Sequence, residues 1–348
     1  MNDKNIIGVN PLPAPTWNWL HMNNSQAEFP AEFEPAAVSI SGAAFENNDC
    51  AEWNNYPSGM GSGFSKTLSA QNCGIVSAFA AENESAQARL SFDLKGGNAC
   101  RRVAIKAKAG ADLVVFMNYV SASDCAADLA VQTEVSAEKG AKVKLVQLQL
   151  LGKACTVFND IAAKCEDGAE LSVVQLFLGV EKTYSGCEVR LAGKESSFTA
   201  DVGYFGKENQ RFDMNYNAVH TGKSTRSVMN VSGVLADSSE KLFRGTIDFK
   251  NGSAGSKGDE KEDVLLLGDD VVNKTIPLIL CAEEDVQGNH GASIGRLDEA
   301  LLFYLASRGI DATQAEKLMA KARLDALCAK TGDDEAQKLL EEYLEAAE

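Results

Sequence analysis

A glycine that recurs at the head of a β-rich run constrains this chain more than any other feature. Gly110-Ala-Asp-Leu-Val-Val-Phe116, Gly140-Ala-Lys-Val-Lys-Leu-Val-Gln-Leu148 and Gly168-Ala-Glu-Leu-Ser-Val-Val-Gln-Leu176 start 30 and then 28 residues apart. In each copy the glycine supplies a turn and the Val/Leu-rich run reads as a strand, with no helical pattern between copies. Strand–turn units at a fixed period favour a β-solenoid in which every coil covers the apolar face of the one before it. A sandwich built from hairpins is the alternative. Within Ala141–Leu150 the apolar positions are first Val143 and Leu145, then Leu148 and Leu150, with Gln147 and Gln149 opposite. One straight strand with a single buried face cannot change parity, so a bulge or solenoid corner is expected near Val146.

Around this core the character changes twice. Residues 1–35 read as an N-terminal arm rich in Pro, Asn and aromatics, in which Leu12-Pro-Ala-Pro-Thr-Trp-Asn-Trp-Leu20 cannot be helical before Pro15 and is expected to pack by its tryptophans. Residues 36–295 carry short β runs such as Ala36–Ser41, Arg102–Lys106 and Val264–Leu267, separated by Gly, Asn, Asp and Ser. Residues 296–348 read as a small C-terminal helical domain of three helices. Thr313-Gln-Ala-Glu316 has the form of a capping box ahead of Ala315, Leu318, Met319 and Ala322 at helical spacing. The last helix would stripe Ala336, Leu339, Leu340, Tyr343, Leu344 and Ala347 against an acidic face.

The formal net charge of -16 excludes the basic footprint that nucleic acid or an anionic membrane surface requires. No secretory h-region opens the chain and no run reaches a membrane span, so a cytoplasmic protein is expected. The nine cysteines are odd in number, scattered and without a Cys-x-x-Cys pair, which reads as mostly reduced, buried thiols. His220, in Val219-His-Thr-Gly-Lys-Ser-Thr225, ends like a phosphate-binding loop, but Asn217 stands where that loop needs its first glycine. His220 and Gly245 are expected to be structural.

The densest chemistry lies at residues 283–309. His290 sits between Asn289 and Gly291 at the end of an extended run, and imidazole suits iron or a proton near neutral pH. The competing reading is a hydrogen-bonded turn cap. Glu283, Glu284 and Asp285 add oxygen ligands or simply form a solvated acidic loop. Leu297–Ala306 is apolar except at Asp298 and Glu299, so this helix must be covered on more than one side, by its own core, by a partner, or by both.

Asp285-Val, His290-Gly-Ala, Gly295, Asp298-Glu and Leu302-Phe-Tyr-Leu-Ala-Ser-Arg-Gly309 together resemble the signature of the SufB/SufD family of iron–sulfur cluster assembly proteins. The resemblance spans about residues 100–325 and is dense over 275–310. It implies a mainly β fold, a right-handed parallel β-helix, with a C-terminal region that docks SufC, an ABC-type ATPase, through Leu301, Phe303, Tyr304 and Arg308. It also implies that His290 faces a SufB-like partner during cluster assembly. Two positions depart from the family. Gly288 replaces a cysteine common at this turn, and Glu262 occupies the place of the cysteine that SufB proteins carry before a Leu-Leu-x-Gly strand. The chain is therefore expected to be a non-enzymatic, SufD-like scaffold with no tightly bound cofactor, holding at most a transient cluster at a subunit interface. A stand-alone homodimer with SufC is the nearer alternative. A β-helix carbohydrate-active enzyme is the remoter one, and it would need clustered acids and bases along one solenoid face.

Overall fold

The computed structural model describes residues 4–42, 45–46 and 53–346. From Ile75 to Gly295 the strands alternate between two sheets. One sheet ends on Val272–Cys281 and the other on Val286–Gly295. Within each sheet neighbouring coils pair parallel and in register, as Val143 with Leu171 and Leu145 with Val173, so the core is a parallel β-solenoid of about eight turns. Its interior is one continuous apolar core from Val76 to Val264.

The repeating glycine marks a left-handed corner that recurs from coil to coil. Gly110, Gly140 and Gly168 have φ of +68°, +67° and +64°, the left-handed region that glycine enters without a steric cost. Each donates its N–H to the carbonyl preceding the next corner: Gly110 to Lys139 at 2.9 Å, Gly140 to Asp167 at 2.8 Å and Gly168 to Lys194 at 2.8 Å. The same left-handed corner continues at Asn83, Glu195, Ser224 and Gly255, bonded in turn to Ala109, Lys223, Ala254 and Asp285.

The parity change near Val146 is neither bulge nor corner. Lys142–Leu151 is one unbroken strand buried on both faces beyond Lys144. Val143 and Leu145 face the interior, followed on that side by Gln147 and Gln149. Val146, Leu148 and Leu150 face outward beneath the C-terminal helices. Gln147 is tolerated inside because it is bonded there: it accepts from Asn159 and from Gln175, each at 2.7 Å, and donates to the Tyr119 hydroxyl at 3.3 Å, while Gln149 accepts from Thr183 at 3.2 Å and leaves its Nε2 without a partner.

The coil series begins at Ile75, later than the residue 36 expected from sequence. Ser39–Gly42 and Phe45–Glu46 instead pair antiparallel with parts of the first strands of the two sheets, Ala88–Ser91 and Ser77–Ala78, and form their starting edges. The arm lies on the outside of the first-named sheet, anchored at Arg244. This fully buried guanidinium donates to Asp213 at 2.6 Å, to the Met22 carbonyl at 2.7 Å and to Ser25 at 2.9 Å. Leu12 and Met22 pack on Leu242 and Ile276, and Phe29 packs on Phe158. The tryptophans do not make this contact: Trp17 and Trp19 are 70% and 68% exposed. Helix α1 (Ser62–Ser69) adds Phe64 and Leu68 to the same layer. Cys73 and Cys100 are joined as a disulfide with Cα atoms 4.9 Å apart, against the expectation of thiols at those positions. Six other described cysteines are free, and Cys50 lies outside the described residues.

Three helices close the chain: α2 (Glu299–Ser307), α3 (Ala312–Cys328) and α4 (Asp334–Ala346). The capping box of α3 is Asp311 with Gln314, two residues earlier than expected, because the Asp311 carboxylate accepts from Gln314 N at 2.8 Å while the Gln314 side chain accepts from Asp311 N at 3.0 Å. Its buried stripe is accordingly Ala315, Ala320, Leu324 and Leu327, and Leu318 is exposed. Helix α4 seats Ala336 and Leu340 on the outward Leu148 and Leu176 rows. The side chains of Leu344 and Ala347 lie outside the described residues. No helix among those described is long and apolar enough to cross a membrane.

A Cβ added at Gly140 would meet nothing within 4 Å, so its replacement tests conformation alone. Gly140→Ala should lower unfolding free energy by about 1 kcal/mol and Gly140→Asn by less, since Asn tolerates the left-handed region. Urea midpoints at unchanged m-value would show this, and an alanine variant as stable as wild type would contradict it.

Candidate functional site

The two ends of the solenoid are unlike. The first strands of both sheets carry short antiparallel partners over four and two residues, whereas among the described residues nothing pairs with the outer edges of Val272–Cys281 and Val286–Gly295. The last coil is therefore an open end with ten residues of unpaired backbone on each sheet.

Strand Ser256–Leu267 leads to it. Gly258, Glu260, Glu262 and Val264 alternate inward, while Lys257, Lys261 and Asp263 are exposed. In-register pairing then sets Gly288 on Gly258, His290 on Glu260 and Ala292 on Glu262. His290 thus occupies an inward position of a coil that has no successor, so its imidazole is exposed, with no hydrogen-bond partner among the described residues. Cys281 takes an inward position on the facing sheet by pairing with Phe249, and it too is exposed.

Beneath His290 lies a buried charge cluster. The Lys241 ammonium is bonded to Glu262, to Thr275 Oγ1 at 2.8 Å and to the Lys274 carbonyl at 3.2 Å, and Thr275 donates to the second Glu262 oxygen at 2.7 Å. Burial pulls the Lys241 pKa down, against the attraction of Glu262. Glu260 shares the interior with this pair, but its Oε2 has no partner. Burial first, then the negative charge of Glu262, push its carboxyl up to about 7, with Lys241 opposing. A carboxyl poised near neutrality one coil below an exposed imidazole can take up or release a proton there. Gly245 makes room for it, since a Cβ at that position would lie 2.4 Å from Glu260 Oε2.

The other residues singled out from sequence fall in different places. Gly288 packs close to Ile279 and Phe249, with 2.9 Å and 3.2 Å left for a Cβ, so the interior already fills the space of the missing cysteine side chain. The Glu283 carboxylate accepts from Gly252 N and Glu284 N, both at 3.0 Å, and serves the corner. His220 is buried, bonded to Thr225 at 2.7 Å and Ser227 at 2.9 Å, and burial lowers its pKa to about 4. Helix α2 buries no residue. Phe303 and Tyr304 are 78% and 54% exposed, Leu301 is 36% exposed, and the Arg308 guanidinium lies 5.4 Å above the Tyr304 ring. Its apolar face is open. Sequence reasoning missed Glu260, Lys241 and Thr275, because Gly258-Asp-Glu-Lys-Glu-Asp263 looks like a solvated charge run. The readable signal was the two-residue period joining Gly258, Glu260, Glu262 and Val264. Among the described residues no three His, Cys, Asp or Glu side chains converge as a metal site.

The family model described as SUF system FeS cluster assembly, SufBD core domain, matches residues 92–323. The iron–sulfur cluster assembly protein SufD of Bacillus subtilis is 32% identical over 114 residues, covering 33% of this chain and 26% of that protein. A chloroplastic SufBD family protein of Arabidopsis thaliana is 29% identical over 154 residues, 43% of this chain and 27% of its own. A SufBD family protein of Mycobacterium tuberculosis is 24% identical over 219 residues, 62% of this chain and 26% of its own. The chain spans about a quarter of the length of these curated relatives.

Glu260 carries a pH signature. Its carboxyl pKa rises from 4.5 unfolded to about 7 folded, so its contribution is fully present below pH 4.5 and is lost as pH climbs through 7. Denaturant titrations should show Glu260→Gln abolishing a loss on the order of 3 kcal/mol between pH 4.5 and 7. An unchanged pH profile in that variant would mean that the carboxyl is not held protonated.

Proposed function

The chain belongs to the SufBD core family of the SUF iron–sulfur cluster assembly system, and from that premise we propose that it is a SufD-like, cytoplasmic scaffold subunit whose open end pairs with a SufB-like subunit. The observation that carries this reading is the contrast between the two ends of one solenoid, short antiparallel partners at the start and two bare ten-residue parallel edges at the finish. Two unpaired ten-residue edges offer main-chain groups for strand addition by a second β-helix. His290 would then lie at the joint, facing the other subunit, with Glu260 behind it.

The cluster is cargo in this scheme. His290 offers one imidazole nitrogen to iron, a borderline donor that suits it, and Cys281 adds a softer thiol on the facing edge strand. The remaining ligands come from the SufB-like subunit, in keeping with Glu262 standing where that subunit has its cysteine. Glu260 takes the proton that a ligand loses on binding metal, since thiols and imidazolium must deprotonate first. ATP hydrolysis is assigned to a SufC-like ATPase seated on α2 through Leu301, Phe303, Tyr304 and Arg308. Aromatic and arginine side chains of this kind dominate the energy of protein interfaces. Because α2 follows directly on the strand that carries His290, movement of the ATPase would reach the joint through a short linker, residues 296–298. A second copy of this chain is the alternative occupant of the same open end, and a complex formed with the ATPase alone would identify that homodimer by its mass.

The test is an anaerobic pull-down of tagged chain co-expressed with SufB-like and SufC-like proteins. Phe303→Asp should lose the ATPase and keep the SufB-like chain. His290→Ala should keep both and lower bound iron and sulfide severalfold. Full cluster loading with His290→Ala would remove the histidine from the mechanism, and failure of wild type to hold either partner would overturn the scaffold reading.

A further inference from the structure

One strand in from the open edge, the outer surface of the first-named sheet holds a cavity of about 180 Å³ lined also by Pro13 of the arm. Its floor is set by register. Glu188, Asn217 and Thr246 form one row across three coils, and Arg190, Val219 and Asp248 form the next. Lys250 closes the rim and pairs with Asp248 at 2.6 Å. Two buried polar atoms of the floor have no hydrogen-bond partner: Asn217 Oδ1, on a residue 5% exposed, and Thr246 Oγ1, on one that is 0% exposed. Buried polar groups are almost always satisfied, so a pair of orphans in one cavity points to something that completes them.

The unmet chemistry is specific. The Asn217 amide already hydrogen-bonds Glu188, which leaves its oxygen as a pure acceptor. Burial pushes the Glu188 carboxyl upward because Arg190, 3.9 Å away, relieves it only in part. The first row therefore asks for a donor, best a cationic one. Lys250 is already matched by Asp248, whereas the Arg190 guanidinium makes only that single long ion pair and keeps donors for an anion at the second row. The rows are two residues apart along the strands, roughly 6.6 Å. An ammonium and a carboxylate on one carbon, each at hydrogen-bond distance from its own row, span that interval. The apolar walls, Val219 and Pro13, leave room for a small side chain only.

We propose that this cavity is a binding site for a free small α-amino acid, its ammonium held by Glu188, Asn217 Oδ1 and Thr246 Oγ1 and its carboxylate by Arg190. A divalent cation is the competing occupant by donor type, but the two neighbouring cations disfavour it. The site lies on the outer surface and is independent of the open-end reading.

Calorimetric titration of the full chain with glycine, L-alanine and L-serine tests it, with propionate, ethylamine and Mg²⁺ as partial probes. One-to-one saturable binding of at least one of the amino acids is expected, with none of the partial probes binding comparably. Arg190→Ala, at an exposed rim position, and Thr246→Val, an isosteric loss of the orphan hydroxyl, should each weaken binding tenfold or more while leaving the thermal unfolding midpoint of the free chain within a few degrees. Absence of saturable binding by all three amino acids overturns the proposal. So does binding unaffected by either variant, or a preference for ethylamine or Mg²⁺ alone.

Discussion

One backbone constraint underlies the rest: every coil must turn the same corner at the same height. At that corner a single residue takes a left-handed conformation and hands its N–H to the coil above, in an unbroken series from Asn83 to Gly255. The ladder fixes coil-to-coil register, and register in turn fixes which side chains look inward. A slip of one residue at any corner would turn Val143 and Leu145 outward and the Val146, Leu148 and Leu150 face inward. Both the open-end cluster and the outer cavity are rows of that register, so each inherits its geometry from the corners and not from loops of its own.

The sequence displayed this rule only where glycine marks it. Gly110, Gly140 and Gly168 made the period visible, while Asn83, Glu195 and Ser224 take the same conformation without announcing it. Side-chain parity misled for a related reason. Burial on both faces erases the alternation by which a half-buried strand is recognised, and Lys142–Leu151 is covered inside by its own core and outside by α3 and α4. The polar interior of Gln147 and Gln175 could not be foreseen, because their partners Asn159, Tyr119 and Tyr216 arrive from other strands. Of the candidate site, His290 and the apolar run that became α2 were legible as local strings. The arm misled because its contacts run through Arg244, more than 200 residues away in the chain.

The buried charges divide by purpose. Arg244 with Asp213 and Lys241 with Glu262 are fully enclosed and bonded on several sides. Removing one partner of such a pair strands the other and costs about 3–5 kcal/mol. They hold the arm and the last complete coil in place. Glu260 is different: it has a free oxygen, a like-charged neighbour and a single coil separating it from solvent. The protein tolerates an unfavourable carboxyl there, and natural chains keep such groups mostly where a proton has to move.

The unlike ends have a consequence for how copies of such a fold can stack. A repeating solenoid with two matching bare ends is a unit for a filament, since each added copy exposes the next surface. Here Ser39–Gly42 and Phe45–Glu46 run against the direction of the coils and cover four residues of Ser85–Leu94 and two of Ile75–Ala80. Among the described residues, a long parallel edge is offered at the final coil, and a short, reversed one at the start. Head-to-tail stacking would therefore bring together edges that differ in length and direction. The short reversed strands at one extremity thereby work against end-to-end growth from the other, about eight turns away.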